Sequence, residues 1–167
     1  PQGVDTAAGT FASPMHSVQH AVDVAQAGTT IVLRAGVYRE RVDVPQAKTL
    51  TFQPYLHEVV WFSGSQVVSD WIADGPTWRH DGWTARFNHE GLDPPLLIGA
   101  DPRTGYPDMS FLDGQPLRQV ANRTDVVPGS FFVDEGSSQL FIGSNPQGHI
   151  VEASSLSEAL NVQAPGS

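Results

Sequence analysis

Along the first third of the chain the spacing of apolar positions changes period once. Val18, Ala21, Val22 and Ala25 recur at i, i+3, i+4 and i+7, which is one face of a helix. Ser13 can cap that helix, Pro14 can take its first position and Gly28 can stop it, so a helix over about 14–27 is expected. After Gly28 the pattern becomes that of strands. Residues 29–34 are β-branched and apolar, Ala35-Gly36 turns, 37–44 alternates, and 49–53 and 59–62 repeat the signal before Pro54 and Gly64.

The strand positions Leu33, Phe52 and Phe62 recur at roughly 8 to 20 residues with no helix between them, too short for the crossovers of a doubly wound sheet. Successive parallel strands without helices imply a coil. A right-handed parallel β-helix meets that requirement, because each turn stacks on the next and buries a continuous apolar column. The amphipathic helix is suited to cover the open first turn as a cap. An ordinary sandwich preceded by a helix is the rival.

The second half carries a different pattern. Runs at 67–72, 78–79, 83–87, 108–113, 130–134, 139–142 and 149–153 are short, strand-like and separated by Gly, Pro and Asp, as in antiparallel β structure. Residues 131–134 and 139–142 flank Glu135-Gly136-Ser137-Ser138, a hairpin with a Gly-containing loop. The stretch 88–108, with Pro94, Pro95, Pro102 and Pro107, has no strand periodicity, and loops of that length are commonly functional or mobile. A second helix is expected over about 154–160. The organisation read from this is a mainly β chain in three parts: an N-terminal capping helix and the first coils of a short parallel β-helix at 1–65, a small antiparallel β-sandwich at 66–153, and a segment at 154–167 returning to the β-helix.

Composition narrows the function. With 9 Lys plus Arg against 18 Asp plus Glu, a net charge of −9 and no basic run, no footprint for a phosphate backbone exists, and no nucleic-acid partner is expected. No apolar stretch approaches the roughly 18 residues that span a bilayer, so no membrane partner is expected either. The absence of Cys removes disulfides, zinc–thiolate sites and thiol nucleophiles. An acidic chain rich in Gly and Pro, with Lys48 its sole lysine, suits a secreted, extracellular bacterial protein.

The densest polar and aromatic cluster is Trp71, Asp74, Trp78, His80, Asp81, Trp83, Arg86, His89 and Glu90. Aromatic faces beside carboxylates and a guanidinium suit a sugar, whose C–H faces stack while its hydroxyls take charged hydrogen bonds. Trp71, Asp74, Trp78, His80, Asp81, Trp83, Arg86 and His89, with Tyr106 of the long loop, are the candidate carbohydrate-binding residues. Three Trp at strand spacing equally suit the core of a small sandwich. His80, Asp81, His89 and Glu90 show no established ligand spacing, so neither metal nor cofactor is expected. Glycoside hydrolysis needs two carboxyl groups within several ångströms, but Asp134-Glu135 falls in a hairpin turn and Glu40 and Asp43 alternate with Arg39 and Arg41, where ion pairing on a solvated face is expected. No catalytic residue is assigned.

Ser13-Pro14, then Ser17-Val18-Gln19-His20-Ala21-Val22-Asp23-Val24-Ala25, then Ala27-Gly28-Thr29-Thr30-Ile31-Val32-Leu33-Arg34-Ala35-Gly36-Val37-Tyr38-Arg39-Glu40 closely resemble the opening of pectate-lyase-like right-handed β-helix proteins. That family shows a helix, a Gly-Asp/Thr-Thr-Ile strand, a Gly-x-Tyr-Arg-Glu turn and a later apolar strand ending in Gly-Ser, here Val60-Trp61-Phe62-Ser63-Gly64-Ser65. The resemblance covers about residues 9–65. Beyond it, Phe111-Leu112-Asp113-Gly114-Gln115-Pro116-Leu117-Arg118-Gln119-Val120, Phe131-Phe132-Val133-Asp134 and Leu140-Phe141-Ile142-Gly143 resemble a region of secreted actinobacterial β-helix proteins. In those, and in similar two-part β-xylosidases, a small β-sandwich is inserted early in the helix.

The resemblance implies a polysaccharide-active protein, a glycoside hydrolase or lyase whose acid/base residues lie on later coils. The chain is accordingly expected to be an N-terminal fragment that is inactive alone, with a polysaccharide or oligosaccharide as partner. Self-association through the open β-helix end, or a C-terminal segment 154–163 folded over it, is also expected. The alternative is a self-contained, non-catalytic carbohydrate-binding or assembly module.

Overall fold

The structure, a computed structural model, describes residues 3–88 and 106–163. Among the described residues it is mainly β, with one short α-helix and several small sheets, parallel and antiparallel. In chain order the first elements are α1 (Val18–Val24), β1 (Thr30–Leu33), β2 (Gly36–Tyr38), β3 (Val42–Val44), β4 (Thr51–Pro54) and β5 (Val60–Phe62). There follow β6 (Ser65–Val67), β7 (Ile72–Asp74), β8 (Thr77–Asp81), β9 (Ser110–Leu112), β10 (Gln115–Pro116) and β11 (Arg118–Gln119). The last are β12 (Ser130–Asp134), β13 (Gln139–Ile142), β14 (Val151–Ser154) and β15 (Leu160–Val162). Two compact units result, Pro1–Gly64 with Glu158–Ser167, and Ser65–Ser157.

Among the described residues of the first unit every strand pair is parallel: β1 with β4, β2 with β5 and β3 with β15. The registers set Thr30 beside Thr51, Gly36 beside Val60 and Val42 beside Leu160. Ile31, Leu33, Tyr38, Val42 and Val44 form the core with Val18 and Val22 of α1, and Leu50, Phe52, Val60 and Phe62 pack against it. The strand signals at 29–34, 49–53 and 59–62 correspond to β1, β4 and β5. The single run expected at 37–44 is instead two strands, interrupted where Glu40 turns toward the helix.

The helix is shorter than the expected 14–27 and begins elsewhere. Ser17, not Ser13, is its N-cap, its side chain accepting from the His20 N–H; Ser13 lies in an isolated bridge to Thr10. Seven residues make a marginal helix in water, so its free N–H groups need tertiary partners. Glu40 supplies them, Oε1 accepting from Val18 N at 2.9 Å and Oε2 from Gln19 N at 3.0 Å. Asp5 accepts from the N–H groups of His16 and Ser17, which holds its carboxyl below the ordinary range, Ser17 contributing most. At the other end Lys48 Nζ donates to the carbonyls of Val22 and Asp23, both at 2.7 Å. Replacing Glu40 by alanine strips two helix N–H groups of their acceptors and is expected to cost about 1–2 kcal/mol. Glu40→Gln, which keeps one acceptor oxygen, is expected to fall between alanine and wild type in thermal unfolding.

The second unit has a four-stranded sheet in the order β10-β9-β14-β6 and a five-stranded sheet in the order β11-β12-β13-β8-β7. All pairs are antiparallel except β11 with β12. One core joins the two sheets: Phe131, Leu140 and Ile142 from the second, Val151 and Ala153 from the first, with Val68 and Trp83. The expected hairpin is present, Asp134 opposite Gln139, and its left-handed residue is Ser138 (φ 55°) rather than Gly136. Asp134 Oδ1 takes the loop N–H groups of Gly136 and Ser137.

Two expectations are corrected. Residues 83–87 form no strand, because their backbone is engaged elsewhere: Trp83 N donates to Ser138 O, and Arg86 Nη1 occupies the carbonyls of Trp83 and Ala85. No helix forms over 154–160. That stretch leaves β14 at Ser154 and enters β15 at Leu160, where Val42 N donates to Ala159 O and Gln163 N to Val44 O. Serines at 154, 155 and 157 disfavour a helix there, and the exposed edge of β3 offers ladder bonds.

Candidate functional site

The carbohydrate-binding residues expected from sequence all lie in the second unit where they are described, and the strand geometry separates them. Successive strand side chains point to opposite faces, so on β8 Trp78 and His80 share one face and Arg79 and Asp81 the other. On the inner face Trp83 is buried to 2% exposure, and Trp71 and Trp78 pack against the same core. His80 sits between Trp71 and Trp83, ring centroids 5.9 Å and 6.2 Å away, its Nδ1 2.8 Å from Ser69 O. Trp71 Nε1 donates to Val68 O. Trp83 is therefore a core residue, its ring enclosed by the side chains of both sheets.

The outer face holds the charges. Asp74 accepts from Arg123 Nη2 at 2.6 Å and Arg79 Nη1 at 3.3 Å, while Asp81 accepts from Arg79 Nε at 2.8 Å and Gln139 Nε2 at 2.7 Å. Arg79 and then Gln139 hold the Asp81 carboxyl below its ordinary range. A general acid needs the opposite shift, so this network favours Asp81 as a carboxylate. Arg123 also lies over the ring of Phe141 at 4.6 Å. Arg86 closes the β12–β13 hairpin, Nη2 donating to Glu135 O and Ser138 Oγ. Tyr106 is half-buried, and His89 and Glu90, with most of the 88–108 stretch, lie outside the described residues.

Asp134, Glu40 and Asp43, also named from sequence, are committed in the same way. Asp134 serves the hairpin loop, with Ser137 the main cause of its lowered pKa. Glu40 caps α1. Asp43 pairs with Arg41 and accepts from Asn161 Nδ2, both of which lower its pKa. Asp113, held low by His149 Nδ1 at 2.6 Å, belongs with them. Among the described residues no group of three or more His, Cys, Asp or Glu is arranged to hold a metal.

Two exposed aromatic positions of the first unit escaped the sequence reading. The β2–β5 register sets Val37 beside Trp61, and Trp61 is 64% exposed. The second is at the rim of an open groove of about 820 Å³ lined by α1, β1 and residues 8–17. The β1–β4 register, carried one residue past Leu33 and Pro54, brings Arg34 beside Tyr55. Phe11 joins them: its ring centroid is 5.3 Å from that of Tyr55, and the Arg34 guanidinium lies 4.9 Å from the Phe11 centroid and 5.1 Å from that of Tyr55. Glu58 takes Arg34 Nε and Nη2 at 2.8 Å and the Ala35 N–H at 2.6 Å, so its carboxyl lies below the ordinary range, Arg34 being the larger cause.

No family model matches the chain. In sequence it is similar to an uncharacterized protein of Bacillus subtilis (strain 168), YwoF, at 38% identity over 73 residues, 41% of this chain and 16% of that protein. It is also similar to pectate lyase PEL9 of Emericella nidulans, at 41% identity over 71 residues, 42% of this chain and 17% of that protein. The chain thus spans well under two thirds of the length of either relative. Among solved structures it resembles XylC in complex with xylose, with a TM-score of 0.68 at 19% identity over 95% of this chain and 31% of that one. A glycoside hydrolase superposes with a TM-score of 0.58 at 14% identity over 98% of this chain and 46% of that one. At these identities the likeness to both structures is one of fold.

Proposed function

We propose that the chain is the N-terminal part of a secreted polysaccharide-active protein of the right-handed parallel β-helix type, a glycoside hydrolase or polysaccharide lyase whose acid and base act from further coils. The observation that carries this reading is the course of the first unit. β1, β2 and β3 are each matched in parallel by a later strand, β4, β5 and β15, as two stacked turns of a coil would be. The last of these arrives only after Ser65–Ser157 has been completed as a unit of its own, in the manner of an inserted sandwich. The fold likeness to XylC, over nearly all of this chain but 31% of that one, supports the same reading, as does the partial match to a pectate lyase.

The carboxylates of Asp43, Asp74 and Asp81 are engaged by arginines, that of Glu40 by helix N–H groups and that of Asp134 by loop N–H groups, which suits a part that recognises a glycan and leaves bond cleavage to residues elsewhere. The expected result is that the 167-residue chain is retarded in affinity electrophoresis through gels containing xylan or pectin. It is expected to release neither reducing ends nor unsaturated products from either. Migration unaffected by every polysaccharide tested would sink the glycan reading, and turnover abolished by replacing one of its acids would overturn the division of labour.

A further inference from the structure

We propose that the groove between α1 and β1 is a binding subsite for a neutral oligosaccharide, with Phe11 as its stacking platform. The inference rests on the glycan reading above and adds to it a location and a ligand charge. At about 820 Å³ the groove has the size of a small-ligand site. One wall is apolar, from Val18, Ala21 and Val24 of α1, and Phe11 at the rim is 66% exposed, so the ring face turned away from Arg34 is open to stack against the C–H face of a sugar.

The opposite wall is polar. In the parallel β1–β4 ladder Thr51 N donates to Thr29 O and Tyr55 N to Leu33 O, so alternate residues of β1 bond toward β4. The backbone groups of Thr30 and Val32 consequently face the other way, along the groove, where β1 has no strand partner among the described residues. A row of alternating donors and acceptors opposite an aromatic rim is what sugar hydroxyls require. The Arg34 guanidinium at the rim is neutralised by Glu58 yet retains Nη1, which takes no part in that pair. The site therefore offers charge-polarised hydrogen bonding without net charge, which suits a neutral glycan and gives a uronate no advantage.

The test is titration of the 167-residue chain with xylotetraose and cellotetraose, read by the amide resonances of Ala21, Ala25, Thr30 and Val32. Phe11→Leu keeps the apolar volume but loses the aromatic face; it is expected to weaken binding by roughly threefold to tenfold, while Phe11→Trp restores it and Trp61→Ala leaves it unchanged. Unchanged affinity in Phe11→Leu overturns the subsite. So do shifts confined to the Trp61 surface and abolished by Trp61→Ala, an outcome that leaves the glycan reading standing. Tighter binding of triguluronate or trigalacturonate than of the neutral sugars overturns the ligand class. Occupation of the β1 edge by a strand-forming Thr-Val peptide, with no response to any sugar, overturns the proposal in favour of a peptide groove.

Discussion

Replacing Trp83 by alanine is expected to destabilise the Ser65–Ser157 unit by about 3–5 kcal/mol, the usual cost of emptying a buried aromatic site. Trp83 is 2% exposed and packs with Val68, Phe131, Leu140, Ile142, Val151 and Ala153, residues drawn from both sheets of the unit. Its backbone N–H is fixed to Ser138 O at 2.8 Å, and its carbonyl accepts from Arg86 Nη1. The segment therefore cannot collapse inward to refill the space, which places the cost toward the upper end of the range. For a unit of this size the melting temperature is expected to fall on the order of 10–30 °C. Trp61→Ala, at a ring left mostly in solvent, is expected to change stability by no more than about 0.5 kcal/mol. Any loss of glycan retention in the Trp83 variant then reports unfolding. A variant that melts within two or three degrees of wild type, on the order expected for a surface change, yet loses retention would reverse the assignment of this residue to the core.

The fold is most legible in the sequence where local pattern and tertiary pairing agree. The hairpin of Phe131–Asp134 with Gln139–Ile142 needs only alternation and a short loop, and both are local. β1 and β5 are mainly apolar and β-branched, β4 carries Thr51 and Phe52 before Pro54, and each is bounded by a turn. The helix start is not legible from local sequence because its decisive acceptor is remote. Ser13-Pro14 and Ser17 are both acceptable openings by local rules, and the choice is made by Asp5 and by Glu40, the latter 22 residues beyond Val18.

The candidate site was less legible for a related reason. Proximity in sequence gathered Trp78, His80 and Asp81, but a strand sends alternate side chains to opposite faces, so the cluster divides into core aromatics and an outer ion network. The Phe11, Arg34 and Tyr55 group is dispersed in the chain and united only by the parallel register. The signal that could have found it is the recurrence of stacked positions. Thr30 pairs with Thr51 and Gly36 with Val60, and the same offsets set Arg34 beside Tyr55 and across from Glu58.

Replacing Gly143 by alanine is the other change with a large expected effect, and it works through the backbone. Gly143 follows β13 and donates its N–H to Ser130 O at 3.1 Å. A Cβ there would lie 2.1 Å from the carbonyl carbon and oxygen of Val127 and 2.7 Å from Pro128 N. No rotamer change relieves a clash with main chain, so one of the two backbones must move. Val127-Pro128-Gly129-Ser130 resists it: Pro128 and Gly129, the latter at φ 84°, fill the central positions of a type II turn closed by Ser130 N to Val127 O at 2.9 Å. Ser130 Oγ takes the Val127 N–H at 2.8 Å, and Gly129 N donates to Ser144 Oγ at 2.9 Å, so the turn is pinned from both sides. The expected cost is at least the roughly 1–3 kcal/mol of overpacking a well-filled site, with loss of the Gly143–Ser130 bond in addition. Gly136→Ala is the matched control, since its Cβ would meet only Asp134 Oδ1 at 3.4 Å and its φ is not positive; it is expected to be nearly neutral. Chemical denaturation of the two variants side by side decides the matter. Equal midpoints would mean that the 127–130 turn yields readily, and that close packing against Gly143 does not hold β12 and β13 in place.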